Sequence, residues 1–506
     1  TAKTFSATTD FDVLIIGAGI SGIGMAVHLR QHCPAKSFVM LDRRDDIGGT
    51  WNLFNYPGIR SDSDMHTLGF VFEPWTEQKA IADGSSILDY LHRIKTNHDL
   101  APHMRFGHKV LNASWSNEDA RWTISAELND GTLATYTANF LYMGTGYYDY
   151  DEGHNPDIPG LENFQGDVIH PQFWPEDFEY AGKRVVVIGS GATAVTIVPS
   201  IAKEAAHVTM LQRTPTWYFV RAAKDKLANR LRKIFGEKLA YRLIRFKNVR
   251  LQQYGFKFAR KSPQKMAERL LKPLRETLGD KFDETHFVPP YGPWEQRICL
   301  VPDNDLFEAL SNGSADIVTD QIETVTSKGI LLKSGNTMRA DAIITATGLK
   351  LAMAGKIAFH VDGKPIDFAD HYYYKGCMFS NVPNMAIVFG YLNASWTLKA
   401  DLVSAFACRL INHMDATGTR IVNPVLEDSD DIEEEALFDF SSGYLQRAKS
   451  LLPKNATKMP WRLNQDYLFD RKVLLSQPVE DGVLKFQHVH SENRDSSDNQ
   501  TAVAAE

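Results

Sequence analysis

The sequence predicts an α/β protein made of two doubly wound, Rossmann-type dinucleotide-binding domains with a helical insertion. Three observations carry this prediction. A strand–glycine turn–helix–strand unit lies near the start of the chain, the same pattern recurs in its middle, and a basic segment with helically spaced apolar residues follows the second unit. At 506 residues the chain has room for about three ordinary domains. Its composition, 43% hydrophobic and 23% charged, is that of a globular protein and excludes a disordered or fibrous one.

In the first unit, residues 11–16 form a short apolar strand, Gly17-Ala-Gly19-Ile-Ser21-Gly22 follows, a helix runs through 23–29, and 37–41 is the next strand. Glycine is needed there for the tight turn, for backbone approach to a pyrophosphate, and for close helix–strand packing, while the helix N-terminus meets the phosphate charge. Asp42 ends the second strand, 20 residues after Gly22. Its carboxylate would bind ribose hydroxyls and repel a 2′-phosphate, so this site suits FAD or NAD(H) rather than NADP(H).

The second unit repeats the pattern with a strand at 184–188, the turn Gly189-Ser190-Gly191-Ala192-Thr193-Ala194, a helix to about 201 and a strand at 207–211. Ala194 replaces the third glycine. Arg213 stands where the first unit has its acid, and a guanidinium pairs bidentately with a 2′-phosphate, so this site reads as one for NADPH. Two further strands, 140–143 and 342–346, end in Thr-Gly at Thr145-Gly146 and Thr347-Gly348, as strands that stop at a ligand crevice do. An acid-tipped and an arginine-tipped site in one chain point to a flavin enzyme reduced by NADPH.

The net charge of −7 hides a split, because residues 221–281 hold 19 Lys+Arg against 5 Asp+Glu. Leu227, Leu231, Ile234 and Phe235, then Met266, Leu270, Leu274 and Leu278, recur there at helical spacing. The segment is read as a solvated helical cap whose apolar face packs over the active-site mouth. A weak peripheral contact with an anionic membrane through 222–281 is the second reading, since Phe235, Tyr241, Phe246, Tyr254, Phe256 and Phe258 interleave with the cations. No recognised nucleic-acid module is present, so no nucleic acid is expected. Cys33, Cys299, Cys377 and Cys408 form neither a CxxC nor a metal-ligand spacing, which implies a reducing compartment and no metal site. No apolar run approaches the ~20 residues that cross a bilayer, and residues 1–12 do not read as a signal peptide. A cytoplasmic location is expected, with residues 490–506 a mobile tail.

Between the two units lies Phe164-Gln-Gly166-Asp-Val-Ile-His170-Pro-Gln-Phe-Trp174-Pro175. At every defined position it resembles the FxGxxxHxxxW(P) fingerprint of type I Baeyer–Villiger monooxygenases, which are class B flavoprotein monooxygenases. Gly48-Gly-Thr-Trp51, Tyr56-Pro-Gly-Ile-Arg60-Ser-Asp62-Ser-Asp64-Met65 and Asn393-Ala-Ser-Trp396-Thr resemble the subgroup containing the mycobacterial ethionamide-activating monooxygenase. The resemblance spans about residues 11–485.

It implies an FAD domain over 1–146 and 352–489, an NADPH domain over 147–221 and 290–351, and the insertion over 222–289. It implies FAD contacts from Gly17, Gly19, Ser21, Gly22, Asp42, Gly49, Thr50, Trp51, Asp62 and the backbone of Val110. NADPH contacts would come from Gly189, Ser190, Gly191, Ala192, Thr193, Ala194, Val195, Gln212 and Arg213, with Arg60 and Ser61 at the nicotinamide end. In Pro293-Trp-Glu-Gln-Arg297 it marks Arg297 as the cation that stabilises a negatively charged flavin peroxide, with Asp62 holding its guanidinium. Gln296 stands where many relatives have lysine, so weaker discrimination against NADH is expected. His170 is not assigned as a proton donor, because the motif is thought to couple domain motions.

The implied activity is insertion of one oxygen atom from O2 into lipophilic ketones, giving esters or lactones, with oxidation of thioethers or thioamides. Three rivals stand beside it. A flavin monooxygenase confined to nitrogen or sulfur usually lacks Trp174. A disulfide reductase needs a close cysteine pair at the flavin, and a non-catalytic redox sensor would share both nucleotide sites.

Overall fold

The computed structural model describes residues 8–427 and 431–489. The first unit is centred on the strand Thr9–Ile16, which pairs in parallel with Phe38–Leu41 on one side and Leu133–Met143 on the other. Val13 to Ile16 are buried on both faces, as a parallel strand covered by helices must be. The helix Ile20–His32 joins the first two strands, with Gly19 as its N-cap.

Leu133–Met143 also closes an antiparallel meander with His108–Ser116 and Arg121–Leu128. Ala358–Val361, Lys364–Ile366 and Met385–Ile387 then add to the same nine-stranded sheet from late in the chain. The helix Trp396–Thr417 packs along Ile20–His32.

The second unit is a five-stranded, wholly parallel sheet with Arg184–Ile188 at its centre. His207–Gln212 and Ala315–Thr319 lie on one side of it, and Ala342–Thr345 and Asp167–Ile169 on the other. From this unit the chain leaves through Tyr218–Arg221, forms the helices Lys226–Lys261 and Pro263–Leu278, and returns through Cys299–Pro302, which pairs in parallel with the departing strand. The longer helix is capped by the Asp225 carboxylate, which accepts from Ala228 N–H at 2.9 Å, and it is kinked at Gly236.

The cap reading turns the large apolar positions of this helix inward, and fewer than half of them comply. Tyr241, Ile244 and Val249 are buried, whereas Leu227, Ile234, Phe235, Leu239, Leu243, Phe246 and Tyr254 are exposed. Helical spacing is blind to this, because two apolar stripes on opposite faces share one period. The segment 490–506, expected as a mobile tail, lies outside the described residues.

Candidate active site

A cavity of about 1810 Å³ lies between the two sheets and is lined by both glycine turns. In the first turn a Cβ on Gly17, whose φ is +103°, would stand 2.6 Å from Gly144 O. A Cβ on Gly22 would stand 1.8 Å from Gly17 O, and one on Gly49 3.0 Å from Gly19 Cα. Backbone therefore packs on backbone, and Gly17, Gly19, Ser21, Gly49, Thr50 and Trp51 face the cavity while Gly22 holds the helix against the strand from behind.

Asp42 lines the same end. Its Oδ2 accepts from Ala18 N–H at 2.7 Å and its Oδ1 from Arg44 N–H at 2.9 Å. Burial lifts its pKa above the ordinary value, against those two hydrogen bonds and the pull of Arg44 and Arg43. Ser21 Oγ accepts from Trp396 Nε1–H at 2.8 Å, and the Trp396 ring stacks on Tyr147 with centroids 5.1 Å apart. Val110 reaches the cavity from the register shift between Val110 and Asn112 in the meander.

The second turn is looser. Gly189, with φ +141°, would place a Cβ 2.2 Å from Ala346 O, but nothing lies within 4 Å of a Cβ on Gly191. Gly191 caps the helix Ala192–Ile201, and Ala192 and Thr193 face the cavity with it. Ser190 Oγ–H donates to Thr214 O at 2.9 Å. Ala194 and Val195 lie behind the turn in the core and do not line the cavity.

Arg213 lines the cavity, is exposed, and has no acidic partner among the described residues. Gln212 does not line it. The two neighbours point to opposite sides of the strand end, and Gln212 is buried with its amide donating to His286 O and Thr319 Oγ1, both at 2.9 Å. Bare backbone at two helix N-termini, one followed by a carboxylate and the other by a free guanidinium, fits a pair of dinucleotides, the second with a 2′-phosphate.

Between the turns stands Arg297, its Nη2 3.5 Å from Asp62 Oδ2. Burial opposes its charge, but Asp62 and the hydroxyls of Tyr444, Tyr147 and Tyr148 outweigh that and hold its pKa above the ordinary value. The Tyr147 and Tyr148 hydroxyls lie 3.0 Å apart, and burial pushes both up despite the nearby Arg297. Arg60 lines the cavity and pairs with Asp305. Ser61 is buried beside it, its Oγ accepting from Ala82 N–H at 3.0 Å.

The fingerprint segment lies away from this space, since neither His170 nor Trp174 lines the cavity. His170 Nδ1 accepts from Gln172 N–H at 3.2 Å, and burial lowers its pKa, so the ring is neutral. A Cβ on Gly153 would sit 2.2 Å from its Cε1. Trp174 packs edge-on against Phe178 at 5.5 Å.

A family model described as pyridine nucleotide-disulphide oxidoreductase matches residues 14–251. The FAD-containing monooxygenase EthA of Mycobacterium tuberculosis is 48% identical over 481 residues, covering 95% of this chain and 98% of that protein. The chain belongs to the FAD-containing monooxygenases. The probable FAD-binding monooxygenase AlmA of an Acinetobacter species is 47% identical over 476 residues, 94% of this monooxygenase and 96% of that protein. Its fold is that of the cyclohexanone monooxygenase from Rhodococcus sp. Phi1 bound to NADP+, with a TM-score of 0.73 over 95% of this chain and 100% of that one at 23% identity.

Cys299 is the one thiol on the cavity wall of this monooxygenase, and burial pushes it up to about 11. Cys33, Cys377 and Cys408 do not line the cavity, so no dithiol faces it. Asp64 lies within the motif Tyr56–Met65, and nothing in the sequence marks its role. Its buried carboxylate accepts from Asn248 Nδ2 at 2.8 Å, from Arg221 Nη1 at 3.3 Å and from Gln252 Nε2 at 3.3 Å, with His66 Nδ1 at 3.6 Å. Burial works against the charge, yet His66, Arg221 and Asn248 hold the carboxyl well below the usual carboxylate range. Beside it Arg245 Nη1 donates to the carbonyls of His66, Thr67 and Gly69 at 3.0, 3.2 and 2.6 Å. The insertion is thus clamped onto the first unit. Asn248, Gln252 and Arg245 sit on the buried side of a helix at spacings of 3 and 4, a signal visible in the sequence only as polar residues interrupting an apolar face.

Proposed function

We propose that this monooxygenase uses NADPH and O2 to insert one oxygen atom into lipophilic ketones, giving esters or lactones, and that it oxidises thioethers or thioamides at the same place. The observation that carries the reading is Arg297, set with Asp62 and three tyrosines in the cavity between the two glycine turns. Gly17, Gly19, Gly49 and Asp42 would hold FAD, which when bound and reduced supplies the activation of O2. Residues 1–146 and 352–489 would carry that site, and 147–221 and 290–351 the one for NADPH. Arg213 would grip the 2′-phosphate of NADPH, and Gln296 beside Arg297 leaves it without the added cation of a lysine.

Arg297 cannot lose its proton at working pH, so it presents a fixed positive charge wherever negative charge gathers in the cavity. Asp62 orients that guanidinium and balances it between turnovers. Tyr147 and Tyr148 stay protonated and offer O–H donors on the same wall. Trp396, Trp294 and Phe256 line the space with apolar surface that excludes water. In this reading residues 222–281 of the insertion also make a weak peripheral contact with anionic membranes. Among the described residues no helix is long and apolar enough to cross a membrane.

The test assays one ketone beside one thioether. The native chain is expected to form ester or lactone from the ketone. Arg297→Ala should lose ester formation by about 10²–10³-fold while NADPH oxidation continues and appears as hydrogen peroxide. Ester formation within about threefold of native would remove Arg297 from this role. Thioether oxidation with no ester from any of a panel of ketones would restrict the activity to sulfur and nitrogen.

A further inference from the structure

We infer that the outer face of the kinked helix Lys226–Lys261 docks on an anionic lipid bilayer, and that the cavity fills from that side. Leu239, Leu243, Phe246, Arg250 and Tyr254 follow one another at spacings of 4, 3, 4 and 4, so they share one face of the helix. That face is turned outward, since the opposite one carries the buried Tyr241, Ile244, Asn248 and Val249. Phe246 is 59% exposed and Tyr254 64%. At the kink, where Gly236 has φ 73°, Ile234 is 64% exposed and Phe235 stands beside it, also exposed. Soluble monomers rarely leave so many large apolar side chains together in water.

The polar residues among them have one sign. Arg242, Arg250 and Lys257 are exposed on this stretch, and Glu237 is the single acidic residue between Lys226 and Lys261. Arg250 lies over the Phe246 ring, its Cζ 3.6 Å from the centroid, so cation and apolar ring are presented side by side. Three occupants can be weighed. A second copy meeting this face through a two-fold axis would press like charges together. A nucleic acid would satisfy the cations and leave Ile234, Phe246 and Tyr254 in water. A bilayer with anionic headgroups takes both, the aromatic and aliphatic tips entering the headgroup boundary and the cations meeting the phosphates.

The same helix forms part of the cavity wall through Lys247, Leu251 and Phe256. Leu251 is 58% exposed as well as lining the cavity, so it marks the rim beside the docking face. A lipophilic substrate dissolved in the bilayer would then reach the cavity without crossing water. This second step rests on the reading of the cavity as a ketone site, whereas the docking does not.

The experiment sediments the full-length holoenzyme with vesicles of equal parts phosphatidylglycerol and phosphatidylcholine, and with phosphatidylcholine alone. Binding to the anionic vesicles, lowered at least about tenfold by 0.5 M salt and absent on phosphatidylcholine, is expected. The triple variant Ile234→Ser, Phe246→Ser, Tyr254→Ser changes exposed side chains that do not line the cavity. It should bind anionic vesicles at least about tenfold more weakly, with kcat on a short, water-soluble ketone unchanged. On a long-chain ketone supplied in the vesicles, the native enzyme should be at least about tenfold faster than the variant. No sedimentation with anionic vesicles overturns the docking, as does a native dimer that the triple substitution converts to monomer. Equal rates on the vesicle-borne ketone overturn the access route alone. Salt-sensitive vesicle binding by a native enzyme that oxidises no ketone keeps the docking and removes the ketone reading instead.

Discussion

The two glycine turns are written in nearly the same letters and packed to different degrees. In the first, Gly17 and Gly22 meet each other and Gly144 so closely that a Cβ on either would lie within 3 Å of backbone, and Asp42 is tied to two backbone amides. In the second, Gly189 is closed in this way by Ala346 O, Ala194 stands in place of the third glycine, Gly191 faces the cavity, and Arg213 has no acidic partner among the described residues. The difference separates two duties that one motif can serve. A turn enclosed by its own backbone suits a cofactor that stays, and an open turn with a free cation suits one that arrives and leaves with each turnover.

That contrast breaks most sharply at Gly22→Ala. The added methyl would fall 1.8 Å from Gly17 O, backbone against backbone, so the chain is expected in inclusion bodies or with less than about a tenth of its bound flavin. A soluble variant with full flavin absorbance would show that the first turn is not locked.

Asp64→Asn probes the clamp that joins the first unit to the insertion, and should cost about 3 kcal/mol in urea unfolding at pH 7, because it removes the charge opposite Arg221 and His66. Asp64 has its pKa depressed in the folded chain, so its contribution is complete above about pH 4 and drains away below it, where the unfolded chain binds the proton first. The gap between native and variant should therefore close as pH falls below about 4. A gap that stays constant from pH 7 to pH 3 would assign the effect to packing.

Arg213→Ala sharpens the contrast on the other side. It should lower the NADPH/NADH ratio of kcat/KM by about tenfold, or 1.4 kcal/mol, and leave flavin content unchanged. An unchanged ratio would mean that another group grips the phosphate. The smallest effect is expected at Gly191→Ala, where the methyl meets no protein atom within 4 Å but narrows the cavity at the point where glycine lets backbone approach a pyrophosphate. Its KM for NADPH should rise by about threefold or more with flavin content unchanged, and an unchanged KM would place the pyrophosphate away from this turn.

The nucleotide units were legible because everything that defines them is local: an apolar strand, a turn only glycine can make, a helix, and an acid or arginine one strand later. Gln212 shows the limit of reading by resemblance alone, since the two-residue period of a strand already puts it on the opposite side from Arg213. The Asp64 clamp was out of reach, because Asn248 and Gln252 lie 184 and 188 residues away in the chain and meet it only after the insertion folds back. Tyr444 beside Arg297 was hidden for the same reason. The outward apolar face of Lys226–Lys261 was half visible: the residues and cations were counted, but one sequence cannot say which of two stripes a helix buries.

The insertion leaves the second unit and re-enters it through one ribbon, Tyr218–Arg221 against Cys299–Pro302, while Arg245 and Asp64 rivet its middle to the first. It is threaded through one unit and carried by the other. Any turning of one glycine loop relative to the other must then be taken up as torsion in that ribbon, on whose returning strand lies Cys299 of the cavity wall. The gap between the two nucleotide sites is in this sense tied to the stiffness of eight residues, one of which, Cys299, reaches the second glycine turn with its Sγ–H donating to Ser190 O at 3.9 Å.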